Sequence, residues 1–399
     1  MRSKYFLSLI LTLSTCVLYK PVVAQTEVDE RSMQFKGLKF SSKDSLFFIN
    51  FRFRMQNRMG FTTESANNLG ISEWDARVRR LRLRGDGYIL GEKLAYSVQL
   101  SFSRGDQDAD NTGVANIVRD AVIFYHFTDN FYVAFGQNKL PGNRQRVNSS
   151  GQLQFAERSI VNGALTIDRD FGLKAYYTNK LGDVVYQLKG AISTGEGRSV
   201  NTTDKGLAYT GRVEFLPFGS FTNDGDYSEG DLEREQKPKL SIAGGYSYNK
   251  ATTNTGGQLG KDLFAPVDMK TLMLDAIFKY NGWAYAAEFI KRDVNNPLTY
   301  NSDGALSYAY EGYGLNNQFS YIFKNNVETA FRYSYLTPSN RLANFEDTRE
   351  VYELGLTKYL RAHKVKAQLN LSYNVGNQNH SLNYDKNYWG AMFQIELGI

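Results

Sequence analysis

Arginine and lysine recur in this chain at spacings suited to holding an anion. Arg52 and Arg54, then Arg77, Arg79, Arg82 and Arg84, occupy alternate positions in two stretches where apolar and polar residues alternate. Residues two apart in a strand share a face, so each stretch presents a row of guanidinium groups. A guanidinium is planar and permanently charged, and its fork meets two oxygens of a phosphate or carboxylate at once. A second group, Lys139, Arg144, Arg146, Arg158 and Arg169, falls within residues 139–170 together with Glu157, Asp168 and Asp170. The chemistry expected of both groups is the guiding of anions, with no metal and no cofactor.

The elements that carry the first group read as strands of a wall. Phe47, Ile49, Phe51, Phe53 and Met55 fall on one face, and Asn50, Arg52, Arg54 and Gln56 on the other, an alternation that suits lipid outside and water inside. In residues 74–88, Ala76 and Val78 oppose Arg77 and Arg79. The phase then slips at Arg79 and Arg80, so that Leu81 and Leu83 oppose Arg80, Arg82 and Arg84. A one-residue slip predicts a β-bulge that keeps arginine on one face. The second group lies in a connection, residues 140–169, between alternating stretches 131–135 and 171–177. It is too long for a turn, and loops of this length are functional or disordered. Leu153, Phe155, Ile160 and Val161 among its charges predict a loop folded into the mouth of a barrel as a constriction.

Composition and ends agree with export into a membrane. The chain has 399 residues with 27 Tyr, 26 Phe, 35 Gly and only 7 Pro, a mixture expected of many aromatic strands whose alternate residues face water. Residues 1–24 read as a secretory signal peptide: Arg2 and Lys4, an apolar run over 6–19, and Ala24 at the cut. A lipoprotein signal ending at Cys16 is the rival reading, with Thr15 a poor match before it. Cleavage after Ala24 removes the sole cysteine and three basic residues, taking the formal charge from +6 to +3, which gives nucleic-acid binding no support. No other stretch reaches eighteen apolar residues, so an embedded product is a barrel. Residues 25–44 are expected to be a periplasmic N-terminal segment and 45–399 the barrel, an all-β fold of about sixteen antiparallel strands.

Connections alternate long and short, 58–72, 89–92, 105–115 and 128–130 being the first four. Long external loops and short periplasmic turns are the asymmetry of outer-membrane barrels, and they make 140–169 the third external loop. Residues 217–237 break the pattern, being long on the periplasmic side. Their acidic run, 223–235, lacks the ligand spacing of a calcium loop and reads as a solvated turn.

Arg79, Arg80, Leu81 and Arg82, the run Gly136, Gln137, Asn138, Lys139, Leu140 and Pro141, the triplet Glu157, Arg158 and Ser159, the set Arg169, Asp170, Phe171 and Gly172, and Gly211, Arg212 and Val213 with Pro217 and Phe218 together resemble the motifs of the phosphate-selective porin O and P family, in the style of divergent members from Bacteroidota-like organisms. The resemblance implies a sixteen-stranded barrel, usually trimeric, whose third loop folds inward and whose lumen guides anions with basic side chains. It implies a constriction role for Lys139 and Arg158 and a lumen-facing role for Arg82 and Arg212. Gly142 departs from the aromatic that usually follows the proline, and Ile399 from the usual terminal Phe.

The function expected is an outer-membrane porin passing small hydrophilic solutes with preference for anions, phosphate-type oxyanions included. Its partners would be outer-membrane lipid, small anionic or polar solutes, two further copies in a homotrimer and the barrel-assembly machinery. Lys139 and Arg144, having no acid beside them in sequence, are the eyelet candidates; Glu157, Arg169 and Asp170 are expected to pin the loop. In one alternative the arginines pair with Asp75, Asp86, Asp120 and Glu288 across the lumen and merely stiffen the barrel; in another the loop closes the pore and the barrel is structural or adhesive and non-conducting. A rim hydrolase would need partners for His126, His363 or His380, and no serine or acid stands at a suitable spacing. The alternating aromatics read as lipid contacts, not as a sugar-guiding track on the inner face.

Overall fold

The structure, a computed structural model, describes residues 33–36, 38–103, 116–200, 206–377 and 387–399. The expected signal peptide, Cys16, His380 and most of the second external loop lie outside them. Among the described residues sixteen strands form the wall: β1 (Phe47–Thr63), β2 (Ile71–Ile89), β3 (Leu94–Ser101), β4 (Val118–His126), β5 (Phe131–Lys139), β6 (Arg169–Leu181), β7 (Val184–Ser193) and β8 (Ala208–Leu216), then β9 (Lys239–Asn254), β10 (Asp262–Tyr280), β11 (Trp283–Val294), β12 (Gly312–Ile322), β13 (Val327–Pro338), β14 (Thr348–Arg361), β15 (Val365–Asn377) and β16 (Tyr388–Gly398). Each pairs antiparallel with the next, and β16 closes on β1 from Gly390 opposite Thr62 to Gly398 opposite Arg54. Closure leaves no edge whose N–H and C=O groups would face lipid. A hairpin, Met33–Lys36 and Lys39–Ser42, precedes the wall, and its second strand pairs with the start of β1.

The packing is inside out. Leu354, Phe135 and Trp74 are among the large apolar side chains exposed on the outside, whereas Gln56, Arg80, Gln318, Glu328 and Lys366 are buried. Tilted contacts of Trp283 with Tyr321 and of Tyr373 with Trp389, centroids 4.5 and 4.6 Å apart, sit near opposite ends of the wall, where aromatic girdles form. The β1–β2 register steps between Gln56 opposite Arg80 and Asn57 opposite Val78, so Arg79 is the extra residue of a bulge. At Gly136 φ is +125° and a Cβ would lie 2.3 Å from the Ala121 carbonyl oxygen. Only glycine lets β5 approach β4 there.

The third external loop turns into the barrel. It contains two short helices, α1 (Arg144–Val147) and α2 (Ile160–Leu165). Ser159 caps α2 by accepting from Asn162 N–H, and Arg292 of β11 donates to the Ala164, Leu165 and Thr166 carbonyls at 3.2, 2.9 and 3.0 Å, filling acceptors that a helix end leaves open. Val161, Leu165 and Ile167 pack with Met273, Ile290 and Leu336 of the wall in an apolar cluster. Phe155 lies under the Arg332 guanidinium, 4.2 Å from the ring centroid.

A second segment, 217–238, enters from the other end. The expectation of a solvated acidic turn is corrected here, because Asp226, Glu229, Asp231 and Glu235 are all buried. Each acid is matched: Asp226 pairs with Arg144 at 3.3 Å, Asp231 accepts from Gly282 N–H at 2.7 Å, and Glu235 accepts from Thr222 N–H at 2.6 Å. Lys279 donates to the Gly225 carbonyl at 2.7 Å. The two insertions meet where Glu229 N–H donates to Gln152 O at 2.9 Å and its carboxylate accepts from Gln154 N–H at 2.9 Å.

Candidate functional site

The insertions pack against β8–β15 and leave space along β1–β8. A cavity of about 300 Å³ there is lined by eight arginines and lysines and one carboxylate, Asp120. Among the eight are Arg54, Arg82, Arg84, Lys139, Arg146 and Arg158 of the expected set. A second cavity of about 680 Å³ shares Arg54, Arg82 and Arg84 with it and adds Arg52. A third, about 380 Å³, shares Asn138, Lys139 and Val147. Tyr227, from the periplasmic insertion, borders all three.

Burial of so many cations requires partners, and their kind matters. Lys139 donates to the carbonyls of Val147 and Asn148 at 2.7 and 2.9 Å. Arg158 donates to those of Gln145 and Asn148 at 2.7 and 2.9 Å. Carbonyls orient these groups without cancelling their charge. For Arg158, burial and then the neighbouring Arg146 and Arg80 depress the pKa well below the usual guanidinium range. Since a guanidinium does not give up its proton in proteins, the site gains from any anion that enters. Arg54 and Arg82 reach into the loop, both to Ser150 Oγ, at 2.8 and 3.0 Å.

Arg54 also pairs with Glu396 at 3.8 Å, and other basic groups are matched by acids as well. Arg52 and Arg84 share Asp86, Arg77 pairs with Asp75 at 3.0 Å, and Arg146 pairs with Asp168 at 2.6 Å. Glu157 receives Arg58 at 2.5 Å, Arg80 at 3.2 Å and Arg79. Burial, which would raise its pKa, is outweighed by Arg80 and Arg79, and the carboxyl is held well below its ordinary range. Arg169 bonds Asp120 at 2.8 Å.

Three placements differ from expectation. Arg144 is no open eyelet cation: it is 3% exposed and pairs with Glu214, Asp226 and Asp275 at 2.5, 3.3 and 3.5 Å, acids remote in sequence but converging on α1. Arg212 faces inward yet is engaged bidentately by Asp275 at 2.6 and 2.8 Å. Asp170 secures the next external loop, not its own, accepting from Thr194 Oγ1 and Gly195 N–H, both at 2.6 Å. Sequence reasoning passed over Arg292, Lys279, Lys366 and Tyr227. The three cations sit alone on the inward phase of their strands, which is a readable signal; Tyr227 carries none.

The wall aromatics also depart from the expected pattern. Phe124, His126, Tyr132 and Tyr176 share the inner face of β4–β6, since their alternate neighbours Ile123, Tyr125, Phe135 and Leu173 are exposed outside. Their rings stack across the strands: His126 with Tyr132 at 4.9 Å, and Tyr132 with Tyr176 at 4.7 Å with planes 13° apart.

A family model described as phosphate-selective porin O and P matches residues 49–397. An uncharacterized protein of Aquifex aeolicus (strain VF5) is 23% identical over 364 residues, 82% of each chain. Among solved structures, the anion-selective porin from Comamonas acidovorans superposes with a TM-score of 0.55 at 13% identity, covering 88% of this chain and 99% of that one. The OmpF structure of Salmonella typhi in complex with daunomycin gives 0.55 at 13% identity over 89% and 98%. OmpT of Vibrio cholerae, described as a trimer form, gives 0.52 at 12% over 88% and 99%. With a closed sixteen-stranded wall, an inward third loop and a basic cavity between them, the chain belongs to the phosphate-selective porin O and P family and is an integral channel protein of the outer membrane.

Proposed function

We propose that this porin passes small hydrophilic solutes by passive diffusion with preference for anions, phosphate-type oxyanions among them, and without a catalytic step. The observation that carries the reading is the lining of the cavity beside the third loop, eight cationic side chains to one carboxylate. An anion entering a narrow pore gives up water, and charge-assisted hydrogen bonds replace it. Lys139 and Arg158, oriented by carbonyls, are the constriction groups in this reading, with Arg82 and Arg54 next along the wall. Residues 140–169 form the constriction loop, and residues 1–24 are removed on export. A homotrimer, a lipid-facing apolar belt and delivery by the barrel-assembly machinery belong to the same reading; the trimeric form described for the Vibrio cholerae neighbour supports the first.

The test is the reversal potential of purified protein in a planar bilayer under a KCl gradient, followed by phosphate titration. Anion preference with phosphate blocking the chloride current is expected, and Lys139→Glu or Arg82→Glu should move selectivity toward cations. Unchanged selectivity in both variants would overturn the reading, and absence of conductance would favour a plugged structural barrel.

A further inference from the structure

The third cavity differs in character from the basic one beside it. Its volume is about 380 Å³, and Tyr132 and Tyr176 form part of its wall, with Phe124 close by in the shared passage. Rings on the water side of a barrel wall gain nothing from lipid, and inorganic phosphate has no apolar surface to offer them. Beside the rings on the same wall stand Lys189, the register partner of Tyr176, and then Gln187 and Glu214 on β7 and β8. Asn138 borders both cavities, and its buried Oδ1 has no hydrogen-bond partner. A wall of rings that continues into amide, ammonium and carboxylate groups suits a molecule with C–H surfaces and hydroxyls on one skeleton.

We propose that this cavity is a subsite for the carbon skeleton of an organic phosphate, a sugar monophosphate in class, whose phosphoryl group occupies the adjoining basic cavity. Lys139 borders both spaces and serves the phosphoryl oxygens. The ring of the sugar lies against Tyr132 and Tyr176, and its hydroxyls reach Asn138 and Gln187. Tyr227 stands at the junction with its own ring between Arg144 and Lys189, 5.0 and 5.1 Å from its centroid, and separates the two subsites. The inference rests on the anion reading and narrows it: the preferred solute has both an anionic end and a hydroxylated body.

The experiment compares inorganic phosphate, glucose and glucose 6-phosphate as blockers of chloride current through the full barrel in a planar bilayer. Glucose 6-phosphate should block at a concentration about tenfold below that of phosphate, and glucose weakly. In Tyr132→Leu/Tyr176→Leu the ratio of the two phosphate blocks should approach one, each measured on that variant. Gln187→Leu leaves the rings in place and should lower the ratio by weakening glucose 6-phosphate alone, which keeps the test available if the double variant fails to assemble. Equal block by both compounds in the unmodified channel, or a ratio that survives the substitutions, overturns the subsite. An anion-selective channel with equal blocks refutes only this inference, whereas a cation-selective or unblocked channel refutes the reading beneath it.

Discussion

Arg144→Met should loosen the periplasmic insertion while leaving the wall intact. The guanidinium holds three carboxylates, but they do not depend on it equally. Glu214 keeps Lys189 and Arg212, and Asp275 keeps Arg212. Asp226 has no other ion pair among the described residues, and burial already pushes its carboxyl up from 3.8. Stripped of Arg144, it either takes a proton or swings out with its segment. Neutralising an ordinary carboxyl at pH 7 costs at most about 4 kcal/mol, which agrees with the about 3–5 kcal/mol of breaking a buried pair. That is up to about a thousandfold in the docking equilibrium, against remaining anchors such as Lys279 to Gly225 O that contribute about 1.5–3 kcal/mol each. Single-channel recording should show larger and noisier conductance, and the heat-unfolding temperature of the barrel should barely move. Adding Asp226→Asn removes the orphan charge and should restore quiet, smaller openings. Wild-type conductance and noise in Arg144→Met would refute the reasoning. A shift toward cation selectivity with unchanged conductance would instead return Arg144 to the eyelet.

Deleting residues 222–235 should raise conductance beyond Arg144→Met, since the insertion that meets the third loop would be gone; equal conductance would show that the segment lies off the ion path. Gly136→Ala should lower the yield of folded, heat-modifiable barrel, because its Cβ would meet the Ala121 carbonyl at 2.3 Å at a φ that disfavours side chains; normal yield would mean β5 shifts freely. The hold of Glu157 on Arg58, Arg79 and Arg80 should be indifferent to pH between 7 and about 4.5. The depressed Glu157 carboxyl contributes stability that is present above its ordinary value of 4.5 and is lost only as pH falls through the lower folded value. Hydrogen exchange of residues 155–159 measures this, and loosening near pH 5 would contradict it.

Alternation made the wall legible. Phe47 to Met55 against Arg52 and Arg54 reads as lipid and water faces without ambiguity, and the phase slip at Arg79 and Arg80 located the bulge. What stayed hidden was long-range pairing. Arg144 lacks an acid beside it in sequence, yet Glu214, Asp226 and Asp275 converge on it from 70 to 131 positions away. An acidic run has the same composition whether water or buried cations surround it, so residues 223–235 could not announce their insertion. The inner aromatics escaped for another reason. Tyrosine suits either face of a barrel wall, so the alternation over 131–135 and 171–177 did not tell Tyr132 and Tyr176 apart from their aromatic neighbours Phe131 and Tyr177.

The third loop is gripped by the last strands to be made. Lys366 holds Leu153 O at 2.7 Å across 213 positions, and Asn370 receives Ala156 N–H at 2.9 Å across 214. A nascent barrel comprising β1–β13 therefore has no constriction in its final form, whatever its local order. Loop and wall reach their mature arrangement together, when β14–β16 arrive and the ring shuts. Contacts so far apart in sequence form late and slowly. Until that moment the loop is held only by partners on earlier strands, such as Arg54 and Arg82 at Ser150, so a truncated chain would present a less firmly held constriction.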